Sequence, residues 1–295
     1  MIRNISVGID IGTHSTKVVV GEFVKGEKNP KILGIGECPT EGMRHGYVVS
    51  SSLVTASIEK AVGQAEKLSG IRIRRAYIAI GGVTLRGSIA PGVAIVSKAD
   101  GEVTILDVNK ALEECEESIS LGNKKVIQVS PVAFRLDAKE VLGRPEGMHG
   151  NKLEARAMVV TVSNQHLDEL VGAIADAGIT PIDLIVSPLA ASTICLSEKQ
   201  KIVGSALVNI GSETVTLSVF ENNALIALHT FSIGSSDITN DVALGLKITL
   251  EEAESLKLGA TNHEYSKKKL DEIIEARYSD IFELIENLLK KIKRS

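Results

Sequence analysis

The sequence has no tryptophan, and aromatic residues of any kind make up 3% of its 295 positions. That poverty excludes the rows of stacked rings on which single-stranded nucleic acids are held. Positive charge is not in surplus either: 33 Lys and Arg stand against 37 Asp and Glu, for a net charge of -4. A basic footprint is missing, so nucleic acid is not expected as a partner. Cys38, Cys115 and Cys195 are isolated and odd in number, with no CxxC pair. Neither a disulfide framework nor a zinc ribbon fits them, and a reducing compartment is expected. No apolar run reaches the ~18 residues of a membrane span, and Met1-Ile2-Arg3-Asn4 runs straight into a strand-like segment without a leader. The expectation is a cytoplasmic protein. His14, His45, His149, His166, His229 and His263 are scattered without metal-ligand spacing, and there is no Gly-x-Ser-x-Gly. Zinc and nucleophilic chemistry have no support.

What is present is ordinary globular material, 44% hydrophobic and 24% charged, long enough for one or two domains. Ile5–Ile11 and Lys17–Val24 read as a buried hairpin around a polar Gly-Thr-His-Ser turn, and Lys31–Cys38 as a third strand. Ser50–Ser52 offers caps for a helix whose Val54, Ile58, Ala61, Val62, Ala65 and Leu68 share one face. Strand Ala76–Ile80 stops at Gly81-Gly82. Between Thr84 and Val162 the texture changes to short strands (Val93–Val96, Val126–Val129, Ala157–Val162), an acidic helix near Asp107–Ser118, and Gly- and Pro-containing loops. This reads as an inserted α/β subdomain. Helix Asn164–Ala177, with Leu167, Leu170, Val171 and Ile174 inward, then strand Ile182–Val186 and helix Leu189–Leu196, complete the first lobe. The expected division is 1–83 and 163–200 for the first lobe, 84–162 for the insert, and 201–295 for a second lobe.

The second lobe begins as the first does. Ala206-Leu207-Val208-Asn209-Ile210-Gly211-Ser212-Glu213-Thr214 can be laid over Val7-Gly8-Ile9-Asp10-Ile11-Gly12-Thr13-His14-Ser15. Each is an apolar strand, then Asp or Asn, Ile, Gly and a hydroxyl, then a second strand; repetition of one such unit is strong topological information. Alone, Asp-Ile-Gly-Thr reads more simply as a polar hairpin turn than as a phosphate site. Two copies, one per lobe, form a clamp for a polyphosphate, because glycine lets backbone N–H groups come close and Ser or Thr adds a hydrogen bond. Asp10 would act on a metal through water, since a carboxylate beside phosphates needs a cation between them. Lys17 is either a phosphate-reaching ammonium or an exposed strand lysine. Glu254 and Lys257, three apart on one helix, either hold ribose hydroxyls or make a surface pair. Gly234 and Ser235 open a helix whose N-terminus can face the nucleotide. In the last helix, Ile274, Tyr278, Ile281, Ile285, Leu288 and Ile292 make a continuous apolar seam.

Gly8-Ile9-Asp10-Ile11-Gly12-Thr13, Glu41-Gly42-Met43-Arg44-His45-Gly46-Tyr47-Val48 and Gly147-Met148-His149-Gly150-Asn151-Lys152-Leu153-Glu154-Ala155 resemble, in order, segments of the bacterial cell-division family FtsA. Ala253-Glu254-Ser255-Leu256-Lys257 and Ile274-Glu275-Ala276-Arg277-Tyr278 are similar too, so the likeness covers essentially the whole chain. The resemblance implies a two-lobed actin-like (ribonuclease H-like) ATPase fold, α/β throughout, with an inserted small α/β subdomain. It implies ATP or ADP with Mg2+ as ligands, with Asp10, Gly12, Thr13, Gly211, Ser212, Thr214, Gly234, Glu254 and Lys257 on nucleotide-contacting positions; the turns and the helix start, read from the residues, add His14, Lys17, Asn209 and Ser235 to the candidate cofactor-binding residues. It further implies self-association through the insert, and binding of the FtsZ C-terminal tail in the second lobe near Arg277. The place of action would be the cytoplasmic face of the inner membrane at the division site.

The sequence departs from that family in three places. Where the family has Asp-x-Gly-Gly-Gly-Thr-x-Asp, this chain has Asn209-Ile210-Gly211-Ser212-Glu213-Thr214-Val215-Thr216. Both acids are gone and Glu213 adds charge near the phosphates, so at most weak ATPase activity is expected. The second lobe is expected to be incomplete, its sheet showing an open edge. The family's terminal amphipathic helix is not found, so membrane association would be indirect or supplied by a missing C-terminus. Basic Lys290, Lys291, Lys293 and Arg294 read more simply as complements of a helix dipole. Two other readings remain: a type IV pilus platform protein of the PilM kind, and a small-molecule kinase of the same superfamily.

Overall fold

The computed structural model describes residues 4–27, 29–260 and 265–294, so the readings placed on residues 1–3 and on His263 lie outside it. The chain opens with β1 (Ile5–Ile11), β2 (Ser15–Glu22) and β3 (Lys31–Pro39), then a two-rung hairpin, β4 (Met43–Arg44) and β5 (Tyr47–Val48). Helix α1 (Ser51–Ser69) and β6 (Arg75–Ile80) follow. In β1 and β2 every second residue is buried, and the shared inward face of Val7, Ile9, Ile11, Val18 and Val20 packs under α1. The approach is close: a Cβ on Gly36 would stand 1.8 Å from the Ala61 carbonyl oxygen. Glycine in β3 is what lets α1 settle there. Leu68, expected on the inward face, is 68% exposed, although the last turn of α1 still packs on β3, where a Cβ on Gly34 would stand 2.9 Å from the Ser69 nitrogen.

From β6 the chain enters β7 (Arg86–Ile95), α2 (Ile105–Glu117), β8 (Lys124–Leu136), β9 (Lys139–Val141) and β10 (Lys152–Ser163). These strands are much longer than the apolar stretches that announced them. Their extensions alternate charged residues outward, as Lys152, Glu154 and Arg156 do in β10, which hides the pattern in a hydropathy reading. Pro131 lies inside β8, and a register shift at Arg156/Ala157 accommodates it. The insert is then left through α3 (Asn164–Asp176), β11 (Thr180–Val186), α4 (Ser187–Cys195) and α5 (Glu198–Val203).

The remaining elements are β12 (Ser205–Ile210), β13 (Val215–Glu221), β14 (Ala224–Phe231), α6 (Ser235–Leu246), α7 (Leu250–Lys257) and α8 (Lys267–Lys291). Two principal sheets result. The first runs β11-β6-β1-β2-β3; the second runs β12-β13-β14-β7-β10-β8-β9. The inserted strands therefore continue the sheet of the second hairpin. The join is narrow, one pair between His229 and Arg86, with the Arg86 guanidinium donating to the Thr230 carbonyl at 3.0 Å. Beneath it, Leu85, Met158, Val160, Val186, Phe220, Leu225 and Leu228 form one buried cluster drawn from all three parts of the chain. The seam of α8 divides: Ile281 and Ile285 bury against Val215, Leu217 and Val219, while Ile274 packs with Ile238 and Val242 of α6. Between them Tyr278 is 39% exposed, so the seam is not continuous.

One buried carboxylate fastens the insert. Asp107, 2% exposed, accepts from the N–H of Ser97 at 2.9 Å and from the N–H and hydroxyl of Thr104 at 2.8 and 2.7 Å. Burial would raise its pKa, but these donors outweigh burial and lower it to about 2. A depressed folded pKa contributes stability above the ordinary 3.8 that is lost as pH falls through about 2. Asp107→Asn is expected to cost about 2 kcal/mol at neutral pH, with the gap to the parent protein closing below 3.8. Urea unfolding across that range checks it; equal loss at every pH contradicts the assignment.

Candidate functional site

The two halves of the duplication fold alike down to one hydrogen bond. Gly12 N–H donates to the Ser15 carbonyl at 3.1 Å, and Gly211 N–H to the Thr214 carbonyl at 2.8 Å. A Cβ at Gly12 or Gly211 would stand 3.0 or 3.1 Å from those same oxygens, so the turn is tight enough to favour glycine. In register, Asp10 pairs with Lys17 and Asn209 with Thr216. Both turns line one cavity of about 310 Å³, with Asp10, Gly12, Thr13, His14 and Lys17 from the first lobe and Asn209, Gly211, Ser212 and Thr214 from the second. A contiguous cavity of about 640 Å³ shares His14, Gly211 and Ser212 and adds Ser235, Glu254 and Lys257. Every candidate ligand residue except Gly234 therefore lines one cleft between the lobes.

Gly234 lies just behind it, the place a Cβ would take being 2.2 Å from the Ser212 carbonyl oxygen. That contact docks the start of α6 on the second turn: Ser235 N–H donates to Gly211 O at 2.9 Å and Ser236 N–H to Ser212 O at 2.8 Å. These first amides are spent on the turn, so α6 offers the cleft its Ser235 and Ser236 side chains and its dipole. Glu254 and Lys257 pair at 2.6 Å, and the Lys257 ammonium also donates to Ser235 O and Thr239 Oγ1. Burial would raise the Glu254 pKa, but hydrogen bonds from Lys257 and Thr239 bring it below the ordinary value. The pair is thus fixed at the cleft wall. Lys17 is half-exposed, within 3.6 Å of Glu37. Asp10 is reached by solvent, but the walls around it strip hydration and raise its pKa, which Lys17 partly opposes. Arg277 is elsewhere, on α8, in a two-point pair with Asp241 at 2.6 and 3.0 Å and with Asp280 at 3.3 Å.

Three features of the cleft were not foreseen. The hairpin β4–β5, noted in the sequence only as a likeness, closes the cleft by bridging the two turns. Gly46 N–H donates to Thr13 Oγ1 at 3.0 Å, His45 N–H to the Glu213 carboxylate, and His45 Nδ1 lies 3.1 Å from the Glu213 carbonyl oxygen. The Glu213 charge expected beside the phosphates is turned to that hairpin and is not part of either cavity wall. His166, Gly81, Gly82 and Ser187 also line the cavity. Among the described residues no three His, Cys, Asp or Glu side chains gather as a metal cage, and Asp10 is the one carboxylate among those lining the inner cavity.

The family model described as cell division protein FtsA matches residues 206–289, and that of the SHS2 domain inserted in FtsA matches residues 84–161. FtsA of Bacillus subtilis (strain 168) is 33% identical over 269 residues, 91% of this chain. The chain belongs to the FtsA family. It spans 61% of the length of the B. subtilis FtsA. FtsA of Pseudomonas aeruginosa is 28% identical over 97% of this chain and 73% of its own length; for Escherichia coli K12 FtsA the values are 25%, 96% and 72%. Among solved structures, a PilM–PilN type IV pilus biogenesis complex superposes with a TM-score of 0.69 at 17% identity, covering 98% of this chain and 77% of that one. MreB5 of Spiroplasma citri bound to ADP gives 0.52 at 9% identity, covering 97% and 79%. The fold is the two-lobed actin-like one, and the FtsA sequence signal lies in both the insert and the second lobe. No helix among the described residues is long and apolar enough to cross a membrane.

Removal of the Glu213 carboxylate tests how the hairpin is held. Glu213→Ala is expected to speed amide exchange at His45 about ten-fold, the factor for roughly 1.4 kcal/mol, a modest value for a charged hydrogen bond. Unchanged protection at His45, read by NMR, contradicts the bridge.

Proposed function

We propose that this FtsA-family chain binds ATP or ADP with Mg2+ between its paired turns and acts as an actin-like division adaptor rather than as a fast enzyme. The observation that carries the reading is the single cleft lined from both sides by two turns with the same glycine hydrogen bond. Backbone amides and hydroxyls at such turns suit phosphate oxygens, and Asp10 suits a hydrated cation beside them. Asp10 and His166 are polar groups that such a cation and its waters would satisfy, which is why Mg2+ fits the residues present. Bound Mg2+ would offset the negative charge of the phosphates. Asn209 contributes an amide where relatives would offer an acid, and Asp10 is the one carboxylate among the described residues lining the inner cavity. An amide cannot take a proton from water, so turnover is slow or nil.

In this reading the chain divides at residues 83, 162 and 200, self-associates through the insert, and carries the FtsZ C-terminal tail on its second lobe beside Arg277. It works on the cytoplasmic face of the membrane at the division site. The likeness to PilM supports the shared fold, whereas the sequence identity supports FtsA.

Fluorescent ATP-analogue binding tests the site. Asp10→Ala is expected to weaken binding about ten-fold or more in Mg2+, and Asn209→Asp to strengthen the Mg2+-dependent part. An unchanged affinity in Asp10→Ala overturns the phosphate reading. Sedimentation with FtsZ polymers tests the adaptor: the chain is expected to co-pellet, with an FtsZ tail peptide or Arg277→Glu abolishing it. Rapid phosphate transfer to a small acceptor would replace the adaptor with a kinase.

A further inference from the structure

His166 sits in the first turn of α3, 1% exposed, its ring edge-on to Tyr47 with centroids 5.0 Å apart. The ring hydrogen-bonds the backbone of Gly81, and its Nδ1 is buried with no partner. The residue nevertheless lines the inner cavity beside Asp10, Thr13, Gly82 and Ser187. Burial lowers the His166 pKa below the ordinary 6.5, opposed by the Gly81 contact and the charge of Glu169. The ring is therefore neutral at physiological pH. With Nδ1 unpartnered, the bond to the Gly81 carbonyl comes from the other nitrogen, which carries the proton. Nδ1 is then a bare lone pair, an acceptor that cannot donate.

An acceptor of this kind restricts what can fill the space next to it. Phosphate oxygens at neutral pH carry no hydrogen and cannot satisfy it, and neither can the Asp10 carboxylate when ionised. Water can, and water polarised by a divalent cation is a particularly strong donor. We propose that His166 is a positioning residue of the cleft, its Nδ1 receiving a hydrogen bond from a water in the hydration shell of the divalent cation that Asp10 holds beside the nucleotide phosphates. The inference rests on the nucleotide reading and assigns a residue to its cation. Outer partners of this kind orient a metal's ligands and typically govern affinity without touching the metal.

Equilibrium binding of mant-ADP, measured with Mg2+ and again with EDTA, tests the assignment in the parent chain, His166→Leu and His166→Asn. His166→Leu is expected to lose about ten-fold in affinity with Mg2+ and less than about two-fold with EDTA. His166→Asn keeps an acceptor on the side of Nδ1 and is expected to stay within about three-fold of the parent in Mg2+. Equal losses in both buffers, an unchanged Mg2+ affinity in His166→Leu, or an Asn variant as weak as the Leu variant overturns the proposal. Should the Leu variant not fold, the Asn variant decides: an affinity near the parent's that still rises with Mg2+ supports the water contact, and a loss of that rise overturns it. A parent chain that binds mant-ADP in neither buffer overturns the nucleotide reading itself, and this assignment with it. Binding by the parent with indifferent variants overturns only the role of His166.

Discussion

The arrangement depends on a tight glycine turn made twice. A strand delivers Asp10 or Asn209 to the position before its last residue, the chain reverses between Gly12 and Ser15 or between Gly211 and Thr214, and one amide-to-carbonyl bond across that turn fixes the result. Strand alternation keeps the apolar residues of β1 and β13 in their own cores, which leaves the turns free to meet across a gap. Their opposition makes one cleft lined from both lobes, so that in the proposed reading binding and the relative placement of the lobes become one free-energy problem.

The rest of the molecule supports that opposition. Hairpin β4–β5 belongs to the first lobe yet donates to Thr13 and Glu213, one residue from each turn. Its tip needs room as well as bonds: a Cβ on Gly46 would lie 2.4 Å from the Gly82 Cα. On the far side, the inserted strands continue the second lobe's sheet through His229 and Arg86, above a core shared by all three parts. A partner that grips the insert therefore has a mechanical path to the second lobe.

Much of this was legible in the sequence because it is local. The two turns announced themselves through repetition, and with them came most of the cleft residues, since a strand-turn-strand unit places its own side chains. The helix seams were visible for the same reason, except at Leu68 and Tyr278, which are exposed. What could not be read depends on partners distant in the chain. Glu213 looked like a misplaced charge until its hydrogen bond to an amide 168 residues away was seen. His166 reads as a polar residue at the start of an amphipathic helix; its burial is decided by Tyr47 and Gly81. The inserted strands were underestimated because their outward charges mask the alternation on which a strand assignment relies.

The most direct check on the central claim follows both turns at once in the unaltered protein. Hydrogen–deuterium exchange during titration with Mg2+ and a non-hydrolysable ATP analogue would report residues 10–15 and 209–214 separately. One ligand clamped from two sides predicts protection of both segments at the same half-saturating concentration. Protection confined to one turn, or two clearly different half-saturation points, would show that the turns do not share a ligand.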